Sequence, residues 1–381
     1  MPDTIMIVSG ETSGELYGSL LADALKKRNP EVRIIGVGGE RMKQAGVELI
    51  SGISSAFGIA EAVSSLKALK ETFRRAVDAL TKDKPQALVL IDYPDFNLRL
   101  ASEAKKRNIK ILYYVSPQVW AWRKKRVKKI AELVDKMAVI LPFEVEIYKN
   151  AGLDCEFVGH PVFDEIREME KDKRKIKKEL GLKEDLPLLS ILPGSRPHEL
   201  DRLLPIALDT IKEFRKEFSP FQFCVPFAPN TDMDKYTMLI DRLKHEGVVV
   251  NKGESLKVLA ASDYAVIASG TASLQAVLLG VPIVVIYKLS PLSYVLARLI
   301  IKAKYAALVN LLLGREVVKE LLQADATTLN IIREIKKMMF NSTYKEEMLK
   351  DYDNVRKMFS GKNASDRVAE IVFQMAGWKS G

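Results

Sequence analysis

At 381 residues the chain exceeds what one ordinary hydrophobic core fills and suits two domains. With 48% hydrophobic and 28% charged residues it is neither a disordered nor a membrane-spanning protein. Lys and Arg total 59 against 49 Asp and Glu, a net charge of +10, which favours anionic partners (phosphate, nucleic acid or acidic lipid) without choosing among them.

In chain order, short apolar runs alternate with amphipathic stretches, the pattern of strands and helices around a parallel sheet. Strands are predicted at Thr4–Val8, Ile34–Val37, Ala87–Ile91, Ile111–Tyr114, Lys136–Ile140 and Glu156–Val158. A second series follows at Leu188–Leu192, Phe221–Val225, Val248–Val250, Tyr264–Ala268 and Ile283–Tyr287. The charged stretch Asp164 to Lys183 is read as the hinge, and Thr327 to Gly381 as helices without a strand. The expected fold class is α/β, two doubly wound parallel sheets facing a cleft, with a helical tail. Expected boundaries are 1–163, 164–345 and 346–381, the last returning toward the first domain. The opening Met1-Pro2-Asp3-Thr4 has no basic n-region, so a cytoplasmic protein is expected.

Open parallel sheets bind ligands beyond the carboxyl ends of their strands, so the loops there carry the search. The first strand runs into Ser9-Gly10-Glu11-Thr12-Ser13-Gly14-Glu15. Two readings stand: an anion-binding turn at a helix start, or capping by Thr12 or Ser13 with a solvated Glu11. The third strand ends in Asp92-Tyr93-Pro94-Asp95. Asp95 has a structural use as a helix N-cap, whereas Asp92 has none as good and is the candidate general base. In Ser116-Pro117-Gln118-Val119-Trp120-Ala121-Trp122-Arg123, Trp120, Trp122 and Arg123 fit sugar stacking, nucleic acid or a membrane interface.

In the second half, Gly194 and Ser195 are expected to offer backbone donors and Arg196 a guanidinium fork for diphosphate. Ser269, Gly270, Thr271 and Ser273 form a second helix start suited to phosphate. The histidines His160, His198 and His245 and the cysteines Cys155 and Cys224 show no metal-ligand spacing, so neither a metal nor a cofactor is expected.

Taken together, these motifs resemble the lipid A disaccharide synthases, glycosyltransferases of the GT-B fold from Gram-negative bacteria. The resemblance rests on Ile91-Asp92-Tyr93-Pro94-Asp95-Phe96-Asn97, Tyr114 through Arg123, Leu192-Pro193-Gly194-Ser195-Arg196, Ser269-Gly270-Thr271-Ala272 and Asn310-Leu311-Leu312-Leu313-Gly314-Arg315-Glu316. It implies transfer of the sugar of UDP-2,3-diacylglucosamine to the 6-hydroxyl of 2,3-diacylglucosamine 1-phosphate, with inversion. It also implies that Glu11 belongs to the active site and that Asn310, Arg315 and Glu316 reach the donor. The chain departs from the family at Glu15, where Asp is usual, at Val309, where Pro is usual, and at Gln275, where a Glu commonly holds the ribose.

Acylated substrates require contact with a bilayer, so Val63, Leu66 and Leu69 in the stripe Ile59 to Phe73 are expected to meet the cytoplasmic face of the inner membrane. An oligomer is allowed. Two alternatives stand beside this reading: another UDP-sugar enzyme such as a UDP-N-acetylglucosamine 2-epimerase, and a nucleic-acid binder using Arg123–Lys129. The expectation is no nucleic-acid partner.

Overall fold

The computed structural model describes residues 3–52, 62–121, 126–167, 169–170, 172–290, 294 and 304–378, with backbone alone for residues 12 and 62–66. Two compact units emerge, one of Met1–Arg167 with Gly361–Gly381, the other of Glu168–Ser360.

In the first unit the strands are β1 (Thr4–Ser9), β2 (Arg33–Gly38), β3 (Glu48–Gly52), β4 (Ala87–Ile91), β5 (Lys110–Tyr114), β6 (Lys136–Val139) and β7 (Cys155–Phe157). They form one parallel sheet of seven strands in the order β3-β2-β1-β4-β5-β6-β7. Every residue of β1 and β4 is buried, which is why those segments read as continuous apolar runs. The strand order reverses between β1 and β4, where Ser9 pairs with Ile91.

The second unit holds β8 (Leu188–Leu192), β9 (Gln222–Phe227), β10 (Val249–Lys252), β11 (Tyr264–Ala268), β12 (Ile283–Tyr287) and β13 (Lys319–Leu322). These six strands are parallel in the order β10-β9-β8-β11-β12-β13. Its reversal lies between β8 and β11, where Leu192 pairs with Ile267. Such a switch point splays the two following loops apart and opens a crevice for ligand.

Two expected boundaries move. Helix Pro161–Arg167 stays with the first unit, because the Asp164 carboxylate accepts the backbone N–H of Ala364 (3.3 Å) and of Ser365 (2.9 Å). The tail divides at Ser360–Gly361 instead of leaving as one piece at 346: helix Ser342–Phe359 packs in the second unit and helix Ala364–Ala376 in the first. Gly361, at φ +74°, makes the turn between them.

Candidate active site

The loops at both switch points carry the residues that the sequence singles out. In the first unit, Asp92 and Tyr93 follow β4 and both adopt the left-handed conformation, each at φ 46°. Non-glycine residues avoid this region, and a pair costs on the order of 1–3 kcal/mol per residue. Hydrogen bonds to the Asp92 carbonyl hold the turn: the Asn97 amide donates at 2.7 Å and the Tyr113 hydroxyl at 2.6 Å. Asn97 donates also to the Ile91 carbonyl (3.2 Å), and the Asp92 N–H to the Tyr114 carbonyl (3.3 Å). The backbone is thus locked while the Asp92 side chain stays partly exposed.

The neighbouring loop closes on that turn. A Cβ at Gly10 would lie 2.3 Å from the Tyr93 ring, so only glycine lets the two loops touch. The half-buried Tyr93 hydroxyl is raised above its ordinary pKa by burial first, and then by the negative charges of Glu11 and Asp95. Glu11 therefore stands beside the Asp92–Tyr93 turn.

The capping expectations need correction. Helix Thr12–Arg28 starts at Thr12, with Glu11 as its N-cap residue and no side-chain cap, so neither Thr12 nor Ser13 caps it. Helix Pro94–Lys105 is preceded by Tyr93, and Asp95 lies within its first turn, exposed and paired with Arg126. There its charge favours the helix dipole without capping an N–H.

The loop after β5 passes through Val115 at φ +64° to a buried polar chain. The Tyr148 hydroxyl donates to Ser116 Oγ (3.1 Å), and the single Ser116 hydrogen goes to Glu144 Oε1 (2.7 Å), with the Pro117 carbonyl 3.0 Å from the same oxygen. Glu144 Oε2 accepts the Leu141 N–H at 3.2 Å. Sequence reasoning missed Glu144, which follows Pro142-Phe143 and looks there like a solvated turn residue. Trp120 is partly exposed and meets Phe143 edge-on at 5.4 Å between centroids; Trp122 and Arg123 lie outside the described residues.

In the second unit, Gly194 sits at φ +106°, where a Cβ would approach Glu199 Oε2 to 2.3 Å. That oxygen accepts the N–H of Ser195 (2.9 Å) and of Arg196 (3.1 Å). The Ser195 donor, expected to be open to a ligand, is therefore already bonded to a buried carboxylate. What remains exposed is the Arg196 side chain, with Nη1 3.8 Å from Glu199 Oε1. Its guanidinium reaches the hydroxyl of Tyr287, the last residue of β12.

At the other helix start, Ser269 Oγ donates to the Ala306 carbonyl (3.0 Å) and Ser273 Oγ to the Gly270 carbonyl (2.7 Å). A hydroxyl has one hydrogen, and phosphate oxygens offer only lone pairs, so neither serine donates to phosphate in this arrangement. The first N–H groups of helix Thr271–Leu279, at Thr271 and Ala272, carry the anion-binding capacity instead. Gln275 is buried on this helix.

Asn310 also differs from expectation. It is fully buried, donates to the Val318 carbonyl (2.9 Å) and Glu320 Oε1 (2.8 Å), and accepts from the N–H groups of Val317 (2.7 Å) and Val318 (3.0 Å). Two donors and two acceptors use an amide completely, so Asn310 builds the scaffold instead of touching the donor. Glu320 extends that scaffold by accepting the N–H groups of Ala306 and Ala307, both at 2.9 Å. Arg315 pairs with Asp351, and Glu316 with Lys319 at 3.1 Å.

Leu69 is half-buried against the core of the first unit together with Phe73, so this end of the stripe is core; the side chains of Val63 and Leu66 lie outside the described residues. A cavity of about 500 Å³ opens elsewhere in the second unit, lined by Pro187, Asp263 and Pro282. Those residues precede β8, β11 and β12, so it lies at the strand edge opposite the candidate loops.

The profile of the lipid-A-disaccharide synthetase family matches residues 5–372. A lipid-A-disaccharide synthase of Syntrophus aciditrophicus is 39% identical over 373 residues, covering 97% of each chain. One from Myxococcus xanthus is 38% identical over 378 residues, covering 98% of each. Among solved structures, the UDP-GlcNAc 2-epimerase of Neisseria meningitidis bound to UDP-GlcNAc superposes with a TM-score of 0.68 at 13% identity, covering 97% of this chain and 100% of that one. The S. aureus MnaA–UDP structure gives 0.70 at 10% identity, covering 100% and 98%. At such identities these two structures share the fold, whereas the synthases share the sequence over nearly the full length. The chain belongs to the lipid-A-disaccharide synthetase family.

Proposed function

We propose that the chain transfers the sugar of UDP-2,3-diacylglucosamine to the 6-hydroxyl of 2,3-diacylglucosamine 1-phosphate, forming a β-1,6 disaccharide and UDP with inversion. Asp92 takes the proton of the attacking hydroxyl as the new bond forms on the face of the anomeric carbon opposite the departing UDP. Negative charge grows on the leaving diphosphate, and Arg196 and the first N–H groups of helix Thr271–Leu279 meet it. Glu11 orients the acceptor. The observation that carries this reading is the locked left-handed turn at Asp92–Tyr93, which fixes a partly exposed carboxylate at the β1/β4 switch point.

Asp92→Asn tests it. The variant keeps the hydrogen bonds that the Asp92 carbonyl accepts from Asn97 and Tyr113 and the one its N–H gives to Tyr114. We expect UDP binding to persist while transfer falls by about 10²–10⁴, the usual worth of a general base. Turnover close to that of the native protein would remove Asp92 from the role.

The acyl chains of both substrates place the reaction at the cytoplasmic surface of the inner membrane. Among the described residues no helix is long and apolar enough to cross a bilayer. Contact then falls to the start of helix Ala62–Lys82, where Val63 and Leu66 are one turn apart, followed by Lys67 and Lys70. We expect the double variant Val63→Ser/Leu66→Ser to fold and to pellet less with vesicles of acidic phospholipid. Unchanged co-sedimentation would place the contact elsewhere.

A further inference from the structure

Arg196 is half exposed, and its guanidinium lies 3.8 Å from Glu199 in the first turn of the helix that follows. An exposed arginine samples many rotamers, and a guanidinium recognises diphosphate well only when its fork is already aimed. Two residues outside the sequence motifs converge on it from different elements. Glu199, almost fully buried in the first turn of helix Pro197–Glu217, binds the backbone N–H groups of Ser195 and Arg196 through one oxygen. Its other oxygen faces the Arg196 guanidinium. The requirement for glycine at 194 follows from the same contact, since any Cβ there would displace the carboxylate.

Tyr287 approaches from β12, two strands from β8 in the sheet order. The strand between them, β11, ends at the Ser269–Thr271 helix start. Burial raises the Tyr287 hydroxyl, Glu199 adds to the rise, and the bond from Arg196 opposes it. The guanidinium is therefore held at its base by one residue and at its head by another.

We infer that Glu199 and Tyr287 are positioning residues that pre-aim Arg196 at the diphosphate of the donor, Glu199 by fixing the arginine's backbone and Tyr287 by fixing its guanidinium. This rests on the reading of Arg196 as a diphosphate ligand.

The test is a double-mutant cycle on UDP affinity by calorimetry, with donor and acceptor KM and thermal stability measured in parallel. Arg196→Ala should weaken UDP binding by about tenfold or more, the worth of a charge-assisted contact. Tyr287→Phe, which removes only a hydroxyl, should raise Kd for UDP and donor KM by about three- to tenfold, leaving acceptor KM unchanged. Glu199→Ala should do the same, and Glu199→Gln, whose amide oxygen still accepts the loop N–H groups, should recover most of the affinity.

On the Arg196→Ala background, Tyr287→Phe and Glu199→Ala should add no further loss, because nothing remains to aim. Full additivity there, or a shift of acceptor KM equal to that of the donor, overturns the inference while leaving Arg196 as a ligand. Native UDP affinity in Arg196→Ala alone overturns the diphosphate reading itself, and the positioning roles fall with it. Should Glu199→Ala fail to fold, the Tyr287→Phe arm decides by the same additivity criterion.

Discussion

Glu144 shows what burial does to one carboxyl group. Desolvation raises its pKa from 4.5 to about 7, with the nearby charge of Asp92 adding to the rise. The bonds from Ser116 and Leu141 and the proximity of Trp120 oppose it. A folded-state pKa above the unfolded one means that the native state binds the proton more tightly between those values. The associated stability is complete below pH 4.5 and is lost as pH rises through about 7. A rise of this size is worth on the order of 3 kcal/mol at pH 8. Glu144→Gln cannot ionise, and its amide can still bond Ser116 and the Leu141 N–H. We therefore expect denaturant titration to find the variant more stable than the native chain at pH 8, by up to about 3 kcal/mol, with the difference falling to less than about 1 kcal/mol near pH 5. A difference that stays constant across that range would mean that Glu144 is ionised throughout in the folded protein.

Elements were legible in the sequence in proportion to how deeply they are buried. The interior strands β1, β4, β8 and β11 are flanked by neighbours on both sides, so their residues are almost all buried and mostly apolar and announce themselves. The two unforeseen strands, β3 and β13, lie at sheet edges, where Glu48 and Lys319 can face solvent. Edge strands tolerate and even favour such charges, which erases the pattern that marks a strand. The site divides in the same way. Asp92 and Arg196 were readable because each ends a buried run and begins a loop. The partners that support those loops and their neighbours were not, since Glu144, Tyr287 and Glu320 meet them across 10 to 91 residues and Glu199 acts from within a helix whose charged face looks ordinary. Asn310 carries the converse lesson. A polar residue in a distinctive motif drew a ligand role, yet its four hydrogen bonds tie helix Leu308–Leu313 to β13. A motif can therefore mark a joint of the scaffold as well as a contact with substrate.

At the scale of the whole molecule, the first unit is built from both ends of the chain. Helix Ala364–Ala376 buries Val368, Ala369, Ile371, Val372 and Phe373 in it. Arg367 clasps Glu156 of the adjacent strand β7 with two bonds of 2.5 and 2.9 Å, and Asp164 caps the helix start through Ser365. Buried side chains of this kind each contribute about 1.5–3 kcal/mol, so the helix supplies a share comparable with the 5–15 kcal/mol that stabilises a typical domain. The second unit has a last helix of its own, Ser342–Phe359, which ends in that unit's core with Val355 and Phe359 buried and Arg356 bound to the Leu278 carbonyl at 2.9 Å. Ending the chain after Ser360 should therefore divide the molecule. Amide hydrogen exchange should show β1, β4 and β5 losing protection by orders of magnitude, while β8, β11 and β12 exchange as slowly as before and UDP binding survives. Transfer should vanish, since Asp92 stands on the unit that opens. Native protection of β1 and β4 in the shortened chain would show that the first 167 residues hold their sheet unaided, and the division drawn at Ser360–Gly361 would have no energetic meaning.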